Sequence, residues 1–146
     1  MAEFRGWGGA ALVTGASAGI GAELARKLAE RGMDVVLVAR SVEKLEKLAQ
    51  EIARRYRVRA VPVGLDLAAP GAEDYLPARM REIELTVDVL VNNAAFGVYG
   101  AFANRGVPRE AEMVRLNVVA PVVLAGLFLP GMIRRRRGLV LNVAST

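Results

Sequence analysis

The sequence predicts an α/β fold, a doubly wound parallel sheet with strand order 3-2-1-4-5 and helices on both faces. Three observations carry that expectation. Short apolar runs alternate with longer amphipathic stretches along the chain, the pattern of repeated strand–helix–strand units. The runs are apolar without alternation, as parallel strands covered on both faces must be. A tight glycine turn joins the first strand to the first helix. Right-handed crossovers then leave little freedom in the winding.

Each element follows from local pattern. Residues 10–14 (Ala-Ala-Leu-Val-Thr) read as strand one, and residues 20–31 as helix one, stopped by Gly32. Residues 34–39 are strand two, with Val35-Val36-Leu37-Val38 at its centre. Helix two is expected over 42–56, with Ser41 as N-cap but Lys44 three residues on, so no capping box forms. Leu45, Leu48, Ile52 and Tyr56 recur at helical spacing and mark its core face. Strand three is expected over 59–65, a poorly marked helix over 72–84 and strand four over 87–91. A loop over 94–107 leads to a long helix that Pro108 starts and that ends near Arg137. Residues 139–143 are strand five.

Composition sets the bounds. The 146 residues are enough for one domain with its own core. The 53% hydrophobic content and mean hydropathy of +0.30 fit a buried parallel sheet. The chain contains neither cysteine nor histidine, which excludes disulfides, thiolate and imidazole metal sites and histidine-based triads; no metal site is expected. The first nine residues lack the apolar core of a signal peptide, so a cytoplasmic location is expected. The net charge is +5, with only Lys27, Lys44 and Lys47 as lysines and arginine for the rest. The densest run, Arg134 to Arg137, falls where a helix ends, where cations complement the helix dipole. No aromatic residues interleave with it, so no nucleic-acid partner is expected. Residues 116–133 are nearly all apolar, but Asn117, Pro121, Gly126, Pro130 and Gly131 interrupt them. A membrane span needs about 20 apolar residues. A buried core or subunit-interface helix is therefore expected, and no membrane.

The chemistry begins at Thr14-Gly15-Ala16-Ser17-Ala18-Gly19-Ile20-Gly21. A strand, a glycine turn and a helix N-terminus form a site for a pyrophosphate: the first glycine permits the turn, the second lets backbone approach the phosphates, and the third lets the helix pack close to the strand. The spacing of glycines at 15, 19 and 21 differs from the common G-x-G-x-x-G. It resembles the short-chain dehydrogenase/reductase family. So do Asp66-Leu67 after strand three, Asn92-Asn93-Ala94-Ala95 after strand four, Asn117 in the next helix and Asn142-Val143-Ala144-Ser145 at the end of strand five. The motifs keep that family's order from Ala10 to Thr146.

The resemblance implies a Rossmann-type cofactor site at Thr14, Gly15, Ser17, Gly19, Ile20 and Gly21, with Asp66 on the adenine amine, Leu67 supplying backbone contacts, and Asn93 and Ala94 on the cofactor floor. The family has Gly where this chain has Ala95. At the end of strand two, an NAD site carries an acidic residue about 20 residues past the glycine turn. Here the residues are Arg40, nineteen past Gly21, and Ser41. An arginine there pairs with a 2′-phosphate through charge-assisted bonds, so NADP is expected over NAD. The basic residue that such family members often carry before the middle glycine is Ala18 here.

The resemblance also implies hydride transfer between NADP(H) and a small carbonyl or secondary alcohol. Ser145 matches the serine that polarises the carbonyl, and Asn117 matches the asparagine that orders a water relay. The family's Tyr-x-x-x-Lys is missing: Tyr56, Tyr75 and Tyr99 have no lysine four residues on. The chain is therefore expected to be an N-terminal half, one incomplete dinucleotide-binding domain over 1–146, cut after strand five and inactive alone. A homo-oligomer is expected, through the long apolar helix. The segment Phe96 to Phe102 is expected to wall the substrate pocket. A non-catalytic dinucleotide-binding module is the other function class the residues permit.

Overall fold

Strand β1 (Ala10–Thr14) takes the centre of the sheet, where all five of its side chains are buried. A computed structural model describes residues 8–144. Around β1 stand β2 (Asp34–Ala39), β3 (Ala60–Gly64), β4 (Val87–Asn92) and β5 (Leu139–Asn142), all parallel in the order β3-β2-β1-β4-β5, as expected. Leu12 stands opposite Val36 on one side and Leu90 on the other.

Side chains alternate across a strand, so each strand feeds two cores. On one face Ala11, Val13, Val35, Leu37, Val89 and Val91 meet α1 (Gly19–Glu30) and α2 (Val42–Tyr56). Small residues Ala22, Ala25 and Ala29 let α1 lie close to the strands, and Leu45, Leu48 and Ile52 supply the face of α2 that the sequence periodicity marks. On the other face Leu12, Val36, Val38 and Leu90 meet Leu76 and Met80 of α3 (Ala72–Glu82) and Leu124 and Met132 of α5 (Ala120–Arg135). Arg26 of α1 grips Glu51 of α2 through two hydrogen bonds of 2.8 and 2.9 Å, which holds that carboxyl below the usual range.

Several expectations need correction. Ser41 is the N-cap of α2, but its side chain makes no capping hydrogen bond. Strand three is shorter than expected by one residue at each end and α3 ends at Glu82, with Glu84 at φ +53° just beyond. The loop after β4 holds a short 3₁₀ turn at Phe102–Asn104. The long helix is interrupted: α4 (Val107–Val114) passes through a π turn at Arg115–Val119 into α5. Pro121 explains the irregularity, because it has no N–H for the carbonyl four residues back and its ring crowds the preceding turn.

The long helix is buried along one stripe only. Val107–Arg135 is apolar and long enough to cross a membrane by length and composition. In this fold one stripe, with Ala120, Leu124 and Met132, packs on the sheet. A second stripe, Val118, Val122, Leu129 and Ile133, is exposed.

The arginine run has a further structural role. Asp88 in β4 is fully buried, and α5 turns back over it. Arg135 donates to its Oδ1 from Nη2 at 2.8 Å, and Arg137 Nε lies 3.0 Å from its Oδ2. Arg136 takes the left-handed conformation (φ +53°) that lets the chain reverse between them.

Candidate functional site

The carboxyl ends of β1, β2, β3 and β4 open onto one cleft of about 400 Å³. A parallel sheet puts all its strand ends on the same edge, and the winding reverses on either side of β1, so loops part there and leave a crevice.

The floor is the glycine turn. Gly15 has φ +65°, a region L side chains rarely adopt, and a Cβ there would meet Ala94 Cα at 2.9 Å. Gly21 sits under the turn, and a Cβ on it would collide with the Gly15 carbonyl and come within 2.5 Å of Asn93 Nδ2. The first and third glycines thus do what their spacing implies. Among the described residues, a Cβ at Gly19 would meet no side chain within 4 Å beyond its chain neighbours, so the space above it is open.

The turn is held from the next strand. Thr14 Oγ1 accepts the N–H groups of Asn93 (2.9 Å) and Ala94 (3.0 Å) and donates to the Val91 carbonyl (3.2 Å). Asn93 Nδ2 donates to the Thr14 carbonyl at 3.0 Å. The hydroxyl of Thr14 is buried and fully engaged, so Thr14 shapes the turn and does not line the cleft. Asn92, its neighbour, ties the strand ends together as the asparagine pair implies, donating from Nδ2 to Asn142 Oδ1 at 2.9 Å.

Helix α1 starts at the cleft with no side-chain cap and no acidic residue in its first turn. Its first N–H groups have no intrahelical partner, and the dipole leaves partial positive charge there. That is the condition an anion needs.

The walls come from three other strand ends. Arg40 and Ser41 follow β2, Asp66 and Leu67 follow β3, and Asn93, Ala94 and Ala95 follow β4. Gly15 and Ser17 complete the expected set that lines the cleft. Arg40 is exposed, with two thirds of its side chain open. Asp66 is half occupied by the fold: its Oδ1 accepts the Ala68 N–H at 2.9 Å in an Asx turn. Gly19, Ile20, Gly21 and Asn117 do not line the cleft, and Ile20 is exposed. Ser145 lies outside the described residues.

Sequence reasoning missed Ala18, Val38, Ala39, Leu65 and Leu116, which also line the cleft. Leu116 had a signal, since it precedes Asn117 in a helix expected to pass the site.

Asn117 lies in the π turn and clasps the loop after β4. Its Oδ1 accepts the Phe96 N–H (3.1 Å) and its Nδ2 donates to the Phe96 carbonyl (2.9 Å). Its own carbonyl can receive no hydrogen bond from residue 121, which is proline. Arg105 donates to the Val98 carbonyl and lies 2.9 Å from Glu110, which pins the segment 96–102 to α4.

Comparison with known proteins agrees with this geometry. A family model for short chain dehydrogenases matches residues 9–146. A very-long-chain 3-oxoacyl-CoA reductase of Aspergillus clavatus is 36% identical over 147 residues, covering 99% of this chain and 43% of that protein. A human protein named inactive hydroxysteroid dehydrogenase-like protein 1 is 34% identical over 137 residues, 92% of this chain and 41% of that one. A solved short-chain dehydrogenase from Sphingobium yanoikuyae, in complex with NADPH, superposes with a TM-score of 0.87 at 32% identity, over 94% of this chain and 54% of that one. The chain spans about half the length of the proteins it matches. With the family model matched from the residue before β1 to Thr146, and its sheet wound as those proteins' sheets are, the chain belongs to the short-chain dehydrogenase family.

Proposed function

We propose that this chain is the dinucleotide-binding part of an NADP-dependent oxidoreductase, moving a hydride between NADP(H) and a small carbonyl compound or secondary alcohol. The observation that carries it is the uncapped start of α1, which faces a cleft whose β2 end offers Arg40 and no acidic residue. The residues fit the cofactor. The turn from Gly15 to Gly21 holds the diphosphate, Asp66, Leu67 and Leu116 border the adenine, and Arg40 and Ser41 take the 2′-phosphate. The NADPH complex of the Sphingobium protein supports the choice of nucleotide.

NADPH, when bound, supplies the hydride. Ser145 polarises the substrate carbonyl, and Asn117, whose carbonyl residue 121 cannot satisfy, orders a water that passes a proton. The segment 96–102 walls the substrate side. The Aspergillus relative, named a very-long-chain 3-oxoacyl-CoA reductase, also acts on a carbonyl, though on a far larger molecule. Without a Tyr-x-x-x-Lys among the 146 residues, nucleotide binding without turnover is expected of this chain alone.

A second reading, a dinucleotide-binding module without catalysis, is favoured by likeness to a human protein named inactive. The coding sequence after Thr146 separates the two: a Tyr-x-x-x-Lys supports the enzyme and a stop codon the module.

Fluorescence titration with NADPH and NADH tests the cofactor. Losing a charge-assisted bond costs about 1.5–3 kcal/mol, so Arg40→Ala is expected to weaken NADPH by roughly tenfold or more and NADH by less than about twofold. Equal losses would overturn the preference for NADP.

A further inference from the structure

Glu112 stands opposite Arg40 at the mouth of the cleft. Its Oε1 lies 3.8 Å from Arg40 Nη1. Its Oε2 accepts a 2.7 Å hydrogen bond from Arg109. Arg109 in turn lies over the Phe96 ring, 4.0 Å from its centre, and Asn117 clasps the Phe96 backbone in both directions. Glu112 is therefore held in place by α4 and the loop after β4. Leu116, one helical turn later on the same side, lines the cleft itself. Glu112 keeps 29% of its side chain exposed against 67% for Arg40.

The separation decides what the pair does. Charge-assisted N–H···O bonds close to about 2.7–2.9 Å. At 3.8 Å the carboxylate attracts Arg40 without closing a hydrogen bond, so the donors of this exposed guanidinium stay available. A 2′-phosphate carries about −1.5 to −2 charge and three acceptor oxygens. It is the stronger partner, but it must take Arg40 from Glu112 to bind.

We propose that Glu112 sets the nucleotide preference of this cleft by competing with the 2′-phosphate for Arg40. The inference rests on Arg40 as the partner of that phosphate. Glu112 lowers the affinity for NADPH and leaves that for NADH nearly unchanged, because the 2′-hydroxyl of NADH makes no claim on Arg40. Glu112 is a specificity-determining residue that acts through another side chain.

The test is nucleotide titration of the chain and its Glu112→Gln, Arg40→Ala and doubly substituted variants. Glu112→Gln keeps an amide oxygen for Arg109, so the helix surface is retained. Exposed ion pairs are worth up to about 1 kcal/mol, so the expected gain in NADPH affinity is roughly three- to fivefold, with NADH unchanged within about twofold. The gain should shrink at 0.5 M salt, where the Debye length falls to about half its value at 0.1 M. It should vanish when Arg40 is already alanine, since competitors for one residue do not act independently. An unchanged NADPH-to-NADH ratio in Glu112→Gln overturns the inference, as does a gain that survives in full without Arg40. If Arg40→Ala weakens both nucleotides equally, the cofactor assignment falls first. If Arg40→Ala is selective and Glu112→Gln is silent, only the role of Glu112 falls.

Discussion

Among the three glycines of the turn, Gly21 is the most tightly enclosed. A methyl group there has the Gly15 carbonyl on one side and Asn93 Nδ2 on the other, and neither can move without opening the turn. Overpacking of this kind costs about 1–3 kcal/mol. Gly21→Ala is expected to tilt α1 off the turn and weaken NADPH by on the order of tenfold, read by titration, with NADH weakened alike. An unchanged affinity would show that the turn does not depend on this packing. The glycines were legible in the sequence because a sharp turn into a helix is a local demand on the backbone. The partners of Thr14 were not. Its hydroxyl serves residues 93 and 94, and no local pattern announces a contact spanning nearly eighty residues. Asp66 shows an intermediate case: the Asx turn to Ala68 is local and was foreseeable, and it engages only one carboxylate oxygen.

The elements themselves were largely legible, because apolar runs bounded by turn residues fix where strands lie. Irregularities inside an element were harder to foresee. The π turn at Arg115–Val119 needed the observation that Pro121 disables a carbonyl four residues earlier. The arginine run was read as a complement to the helix dipole, yet Arg135 and Arg137 fold back on Asp88. The signal was a carboxylate inside the apolar strand Val87-Asp88-Val89, which demands a partner. This grip fastens the end of α5 and the segment before β5 to β4. Arg135 and Arg137 keep 32% and 40% of their side chains in water, so Asp88→Ala is expected to cost about 2 kcal/mol, less than the roughly 3–5 kcal/mol of a fully enclosed pair. Removing both arginines strands a buried carboxylate and should cost more than removing Asp88. Denaturant unfolding measures both; the reverse ranking would show that Asp88 does not need its partners. Nucleotide preference should stay unchanged in either variant.

At the scale of the molecule the two faces of the sheet differ. Helices α1 and α2 cover one face closely, whereas α5 carries a second apolar stripe, Val118, Val122, Leu129 and Ile133, that faces outward. An exposed apolar stripe of this kind favours association. We propose that the chain self-associates through this side. Sedimentation should show dimers or larger species, and Val122→Glu with Ile133→Glu should shift them toward monomer; a monomer at every concentration would contradict the proposal. The cleft lies at the carboxyl ends of the strands, and its central claim is that the backbone amides of residues 15–21 hold a diphosphate. Amide chemical-shift mapping of the isotope-labelled chain during NADPH titration tests that claim most directly. The largest shifts are expected at residues 15–21, with a second group at residues 39–41. Saturating NADPH that leaves the amides of residues 15–21 unmoved, or moves a surface elsewhere, would contradict the account.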